Sequence, residues 1–255
     1  MTDRRWQTVS RGFTIDYTVQ GDGPPLLVIP GTLCTARQWR EFGYSETLAG
    51  IWRVIAVDPL GHGASDTPHD ADAYEAEGVT ADLVAVLDAE DVDVATVWGY
   101  SRGGWLACNV ASRHPGRVGH LVVGAYAMHA HDEEVDRILR PFAGFLRSGD
   151  WVELWRALGV TDLAFQKMME NSNDALAVAA AIDGSIRPTR YVDPASIRCA
   201  ATYYVGSNDW IVPHVSADVE ALGATLDVID GQTHMGSFFA AANQVLAIVA
   251  ARLWA

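Results

Sequence analysis

The chain has 255 residues, 49% hydrophobic and 20% charged, enough for one large domain with a well-buried core but not for two equal ones. Lys and Arg number 18 against 32 Asp and Glu, leaving a formal charge of −14; that sign repels phosphate backbones and anionic lipid, so neither nucleic acid nor membrane is expected as a partner. No run approaches the roughly 18 apolar residues of a membrane span, Arg4 and Arg5 lack the apolar stretch of a secretory signal behind them, and the three cysteines, Cys34, Cys108 and Cys199, are too scattered for a disulfide framework or a thiolate zinc site, so a cytoplasmic protein is the expectation.

In chain order, Trp6 to Val9 and Phe13 to Val19 predict a short antiparallel opening, closed by the turn residues Gly21 to Pro25. Leu26 to Ile29 reads as a buried strand, Ala36 to Leu48 as a helical stretch, and Arg53 to Val57, Ala95 to Trp98 and Leu121 to Ala125 as further strands. Helical patterns at Ala81 to Leu87 and Trp105 to Ser112 separate them. Such alternation predicts an α/β protein, with a mostly parallel, doubly wound sheet covered by helices on both faces. From 128 to 197 no strand-like run occurs, while apolar residues recur at helical spacing (Val135, Ile138, Leu139, Phe142, Leu146, then Trp151, Leu154, Trp155, Leu158). Strands return at Thr202 to Val205 and Leu226 to Ile229, with helices at Val215 to Leu222 and Gln244 to Trp254. The expected organisation is therefore a core domain of residues 1–127 and 198–255, interrupted by a helical insertion over 128–197.

Thr96 to Trp105 contains Gly99-Tyr100-Ser101-Arg102-Gly103, directly after a predicted strand and before a predicted helix. A serine on so sharp a turn is lifted clear of the sheet, and glycines two residues to either side remove Cβ clashes. The following N–H, that of Arg102, faces the same space at the positive end of the helix. A serine nucleophile needs a base, and the base an orienting acid. Of eight histidines, His234 follows the last strand and so lies at the sheet edge from which Ser101 emerges. His62, between Gly61 and Gly63, reads as a turn or wall residue, and His114, His120 and His214 as structural. Asp209, in Gly206-Ser207-Asn208-Asp209-Trp210, stands at another strand end, whereas Gly124-Ala125-Tyr126 offers no carboxylate.

The order Ser101, Asp209, His234, the run Asp58 to Ser65 and the Pro30-Gly31 loop together resemble the α/β-hydrolase superfamily over nearly the whole chain. The resemblance implies an eight-stranded sheet with the insertion as a helical cap, and no cofactor or metal. It implies His234 as the base for Ser101, Asp209 as its orienting acid, and an oxyanion hole from the N–H of Arg102 and one in the loop after Ile29. That loop departs from the family pattern, which has His where Pro30 stands; Thr32 is the expected donor, with Leu33 second. Leu33, Tyr100, Trp105, Tyr126, Trp155, Trp210 and Met235 are the expected pocket, and a small to medium apolar molecule the expected substrate. Trp151, Phe142, Met168 and Met169 fit the insertion's own core as well as a pocket wall. Cys34 reads as a buried small residue. His129-Ala130-His131-Asp132 is the one metal-like cluster, without a partner at obvious spacing.

The function expected is hydrolysis of an ester, lactone, thioester or ketone-adjacent carbon–carbon bond. Perhydrolase, lyase or acyltransferase chemistry, and a ligand-binding receptor with a vestigial triad, remain open; a homodimer is compatible with all of them. Dehalogenases and epoxide hydrolases of the family use an aspartate where Ser101 stands.

Overall fold

A computed structural model describes residues 4–128, 132–187 and 191–253. The opening hairpin, β1 (Arg4–Ser10) and β2 (Phe13–Gln20), leads to β3 (Pro25–Ile29), two short helices α1 (Ala36–Glu41) and α2 (Tyr44–Leu48), and β4 (Arg53–Asp58). Then come α3 (Ala76–Ala89), β5 (Ala95–Tyr100), α4 (Arg102–Arg113) and β6 (Val118–Gly124). Four consecutive helices follow, α5 (Asp132–Ser148), α6 (Trp151–Leu158), α7 (Leu163–Ser172) and α8 (Ala175–Ser185). The chain returns through β7 (Ala200–Gly206), α9 (Val212–Leu222), β8 (Thr225–Ile229), α10 (Gly236–Phe239) and α11 (Ala242–Leu253).

The strands form one eight-stranded sheet in the order β1-β2-β4-β3-β5-β6-β7-β8. Pairings β1/β2 and β2/β4 are antiparallel, and the rest are parallel. Because side chains alternate across a strand, Leu27 and Ile29 of β3 face the cluster built with Val79, Leu83 and Val86 of α3 and with α4. Leu26 and Val28 face the opposite cluster, with Trp39, Tyr44, Leu48 and Val245. Both faces of the central strands are thus covered, which is why they read as continuous apolar runs. A third cluster lies within α5–α8 and reaches down to Leu33 and Cys34. No helix among the described residues is long and apolar enough to cross a membrane.

Several boundaries differ from the sequence reading. The stretch Ala36 to Leu48 is two helices rather than one, because Gly43 takes a left-handed φ of 79° and restarts the chain as the cap of α2. Thr35 and Gln38 close a capping box at the start of α1. Helix α3 begins five residues earlier than expected, at Ala76. Gly78 obscured that start; it leaves room for Arg11, whose Nη1 would stand 2.6 Å from a Cβ there while its Nε donates to Asp82 at 3.0 Å. The last helix is described to Leu253, and Trp254 lies outside the described residues.

Candidate active site

Parallel register sets the ends of neighbouring strands level: Ile29 pairs with Gly99, Tyr100 with Gly124, and Gly206 with Ile229. The segments that follow, Pro30 onward, Ser101, Ala125, Ser207 to Asp209 and Asp230 to His234, therefore converge at one edge. Ser101 turns there with φ 54° and ψ −119°, a conformation costing a non-glycine residue about 1–3 kcal/mol. It is held by its N–H, which donates to the Gly124 carbonyl at 2.8 Å, and by its own carbonyl, which accepts from Trp105 N–H at 3.1 Å. Glycine is required around it. A Cβ on Gly99 would lie 1.9 Å from the Gly103 carbonyl oxygen, and one on Gly103 2.1 Å from that of Ile29.

His234 sits in the turn after β8, and its Nε2 is 2.9 Å from Ser101 Oγ. Its Nδ1 is 2.9 Å from Oδ2 of Asp209. The other carboxylate oxygen, Oδ1, accepts from the Ile211 N–H at 3.1 Å, and the Asp209 side chain is wholly buried while that of His234 is 26% exposed. A neutral imidazole donating Nδ1–H to Asp209 leaves the Nε2 lone pair for the serine proton. The ring is braced further: Tyr100 donates its hydroxyl to the His234 carbonyl, and Trp210 stacks on the imidazole with centroids 6.4 Å apart.

Opposite the serine, Cys34 N–H donates to the Gly31 carbonyl at 3.0 Å, closing a turn in which Leu33 has φ 66°. Gly31 abuts the serine so closely that a Cβ there would be 3.3 Å from Ser101 Cβ and 3.8 Å from Oγ. Thr32 and Leu33 thus flank Ser101 on one side, and Arg102, first residue of α4, on the other. Helix start and turn both present main-chain N–H groups. Asp58 braces this turn from behind, its carboxylate accepting from Ala36 N–H at 2.7 Å, Ala64 N–H at 3.0 Å and Arg5 at 2.7 Å. Burial nevertheless holds its carboxyl above the usual range.

Between this edge and α5–α8 lies a cavity of about 570 Å³. Its wall includes Ser101, His234, Thr32 and Arg102, and also Leu33, Tyr100, Trp105, Tyr126, Trp155, Trp210 and Met235. Asp209 lies behind His234, off the wall. Three of the five non-glycine residues with left-handed φ among those described, Leu33, Ser101 and Ala125, border the cavity, so backbone strain concentrates where the chain must present groups to one space. From the helical segment Phe142 and Met169 reach the wall, while Met168 and Trp151 pack in the segment's own cluster. Ile182, Ser185, Asn208 and Phe239 also border the cavity and were not singled out from the sequence. Asn173 was missed too: its side-chain amide donates to the Leu33 carbonyl at 2.7 Å and to Met169 at 2.8 Å. Beside Asp174 it reads only as the end of one helix and the cap of the next.

Cys34 is buried against the cavity, and burial pushes its thiol up to about 12, unsuited to thiolate chemistry. His62 is fully enclosed, and burial, with Arg102 nearby, pulls it down to about 3. His120 meets Thr202 at 2.9 Å. The cluster His129 to His131 lies outside the described residues, as does the side chain of Asp132.

This sheet order, turn and site define an α/β-hydrolase fold, and the chain belongs to that superfamily: the alpha/beta hydrolase fold family matches residues 24–150. Among curated proteins it is 33% identical over 114 residues to an epoxide hydrolase of Caballeronia sordidicola, covering 45% of this chain and 34% of that protein. It is 36% identical over 118 residues to a 2-hydroxymuconate semialdehyde hydrolase of Pseudomonas sp. (strain CF600), covering 46% and 41%. The chain thus spans less than half the length of the curated relatives it matches. Among solved structures, the enol-lactonase of Burkholderia xenovorans LB400 superposes with a TM-score of 0.82 at 19% identity, over 98% of this chain and 100% of that one. An E-2-(acetamidomethylene)succinate hydrolase does so with a TM-score of 0.82 at 16% identity over the whole of both chains.

Proposed function

We propose that the chain is a serine hydrolase acting on an ester or lactone of a small to medium, largely apolar acyl compound. One observation carries the reading: Ser101 Oγ, His234 Nε2, His234 Nδ1 and Asp209 Oδ2 form a relay with 2.9 Å at each link, on a serine held in left-handed backbone. In this reading Ser101 Oγ attacks the carbonyl carbon as His234 Nε2 takes its proton. The carbonyl oxygen becomes an oxyanion received by the N–H of Arg102 and that of Thr32, with Leu33 as the neighbouring donor. Collapse of the adduct breaks the bond to the leaving oxygen, which takes the proton from His234 and departs as the alcohol. Water, deprotonated by His234, then attacks the acyl-enzyme and regenerates Ser101 with release of the acid. Asp209 holds the imidazole in the required tautomer and stabilises the imidazolium. No step in this cycle calls for a cofactor.

Residues 128–197 act as a cap, their apolar side chains completing the wall over the serine and limiting water at the oxyanion. The serine at the elbow supports ester or lactone chemistry over that of the epoxide hydrolase relative, since epoxide hydrolases of the family use an aspartate there. The enol-lactonase among the structural neighbours supports lactones as one substrate form to assay. The test is Ser101→Ala beside wild type, with a fluorophosphonate probe and a panel of short-chain esters and lactones. The expectation is labelling and turnover in wild type, with neither labelling nor more than about a thousandth of the turnover in the variant. Labelling without hydrolysis of any panel member would point to perhydrolase, lyase or acyltransferase chemistry, and no labelling to a ligand-binding receptor.

A further inference from the structure

The cavity is open on one side of Ser101 and closed on the other. Asn208 and Thr233, the residues just before Asp209 and His234, border it and are exposed, so its mouth lies on the His234 side. Leu33 and Cys34 continue the turn that abuts Ser101 from the opposite side. They are buried in one packing cluster with Leu154, Trp155, Met169 and Ile182, and all six border the cavity. Apart from the Cys34 thiol, the side chains of this closed end hold one hydrogen-bond donor among them, the Trp155 indole N–H. It is spent away from the cavity: Nε1 donates to Glu170 Oε1 at 2.6 Å, and Glu170 does not border the cavity. Neither does Trp151, on which the Trp155 ring stacks with centroids 5.8 Å apart and planes 19° from parallel. A bond from N–H to carboxylate is charge-assisted, and an indole has only this one polar group to satisfy. Trp155 is thus held from outside the cavity by two partners and offers carbon alone to whatever lies inside.

We propose that Trp155 is the residue that sets the length of the acyl group accepted, with Glu170 as the positioning residue that keeps its ring in place. This rests on the hydrolase reading above and adds to it which half of the substrate is selected, and by what. The leaving oxygen must lie beside His234 Nε2 to take its proton, which puts the alcohol half toward Asn208, Thr233 and the mouth. The carbonyl oxygen is turned to the main-chain N–H groups. The third substituent of the carbonyl carbon, the acyl chain, is left with the closed end. With no donor free there but a thiol, that chain is an uncharged hydrocarbon, and its far end meets the Trp155 ring. The alcohol, facing the mouth, is under no such limit and leaves before the acyl group. A plate pinned by a hydrogen bond and a stacked ring resists being pushed aside, so the limit on chain length is sharp.

The experiment varies one half of the ester at a time. One series holds p-nitrophenol fixed and lengthens the acyl group from acetate through butanoate, hexanoate and octanoate to decanoate. The other holds butanoate and lengthens the alcohol from methyl to hexyl. In wild type kcat/KM is expected to rise about fourfold per methylene along the acyl series and then to drop at a cutoff, while the alcohol series shows none. In Trp155→Ala the cutoff moves outward by about two methylenes, and the ratio of the first rejected ester to the last accepted one rises roughly 15-fold. Trp155→Leu, which leaves a smaller hole in the cluster, moves it the same way by less. Glu170→Ala keeps the ring but frees it, and the same ratio rises roughly threefold; Glu170→Gln, which still accepts the indole N–H, restores the sharp cutoff. An acyl cutoff that stays put in Trp155→Ala and Trp155→Leu, or a shift in the alcohol series instead, overturns the assignment and leaves the hydrolase reading intact. If wild type turns over neither series, the hydrolase reading fails, and calorimetric binding of the methyl esters of the same acids to Ser101→Ala, with and without Trp155→Leu, decides the plate. A cutoff that moves outward sustains it; an unmoved cutoff or no binding overturns it.

Discussion

Glycines at the carboxyl edge of the sheet and glycines of the α5–α8 segment serve different ends. A Cβ on Gly99, Gly103 or Gly206 would approach a backbone carbonyl oxygen to 1.9, 2.1 and 2.2 Å. Gly144, Gly149 and Gly159 have nothing within 4 Å. Around Ser101, main chain is set against main chain, with no flexible side chain to yield. Over it, helices are held by side-chain packing, and the wall they give the cavity comes from residues such as Phe142, Leu154, Trp155 and Met169. Such a segment can be re-lined without disturbing the relay beneath. The exception marks where the two regions are fastened: a Cβ on Gly184 of α8 would come 2.6 Å from Tyr74 Cβ and 2.7 Å from the Ala71 carbonyl. Asp174, at the cap of the same helix, meets His69 at 3.0 Å.

The largest effect is expected from Gly103→Ala. The carbonyls of Ile29 and Pro30 would stand 2.1 and 2.7 Å from the added carbon, and neither α4 nor β3 can retreat without pulling Ser101 from its bond to Gly124. The cost is expected to exceed about 4 kcal/mol, placing it in the exceptional range for one substitution, and serine labelling is lost with it. Thermal unfolding and fluorophosphonate labelling read both. A melting temperature within two or three degrees of wild type would show that the elbow has slack, and the contrast between the regions would fail.

Strand ends and the glycine-flanked serine were legible in the sequence because both leave local marks: apolar runs four to six residues long, and small residues at fixed offsets. Once the strands are parallel, their ends must share an edge, so Ser101, Asp209 and His234 could be brought together from chain position alone. The break at Gly43 and the early start of α3 were not legible, since each depends on what a distant segment does, Arg11 against Gly78 being the plainest case. The pocket divided along the same line. Tyr100, Trp105 and Trp210 follow from sitting next to motif residues, whereas Ile182 and Ser185 come from α8, whose placement depends on tertiary packing that leaves no periodic trace.

Asn173 joins the two regions, and Asn173→Ala is the next effect in size. Its amide holds the carbonyl of Leu33, the residue that takes φ 66° in the turn facing Ser101. Losing that donor takes a partner from the Leu33 carbonyl and costs about 1–3 kcal/mol. If the turn is held by main chain alone, as its 3.0 Å closure would suggest, kcat stays put and only stability falls. If the helical segment helps set the turn, kcat drops by roughly tenfold, a fraction of the loss from removing an oxyanion donor outright, while KM for a short ester moves less than twofold. The second outcome is expected, because Leu33 lies in the α5–α8 packing cluster as well as in the turn.

The smallest effect is expected from Gly144→Ala, and its sign matters more than its size. Gly144 lies inside α5, exposed, with nothing within 4 Å of the place a Cβ would take and without a left-handed φ. Alanine there removes backbone freedom from the unfolded chain and gains helix propensity, together about 0.5–1 kcal/mol. For a chain of this length that raises the melting temperature by roughly 1–4 °C. Gly144 does not border the cavity, so kcat/KM for the preferred ester should stay within a factor of two. The same chemical change, one methyl group on a helical glycine, then stabilises the segment above the serine and wrecks the elbow below it. A fall in melting temperature, or a shift in KM, would mean that α5 is seated as tightly as α4, and that the segment's freedom to be re-lined is confined to α6 and α7.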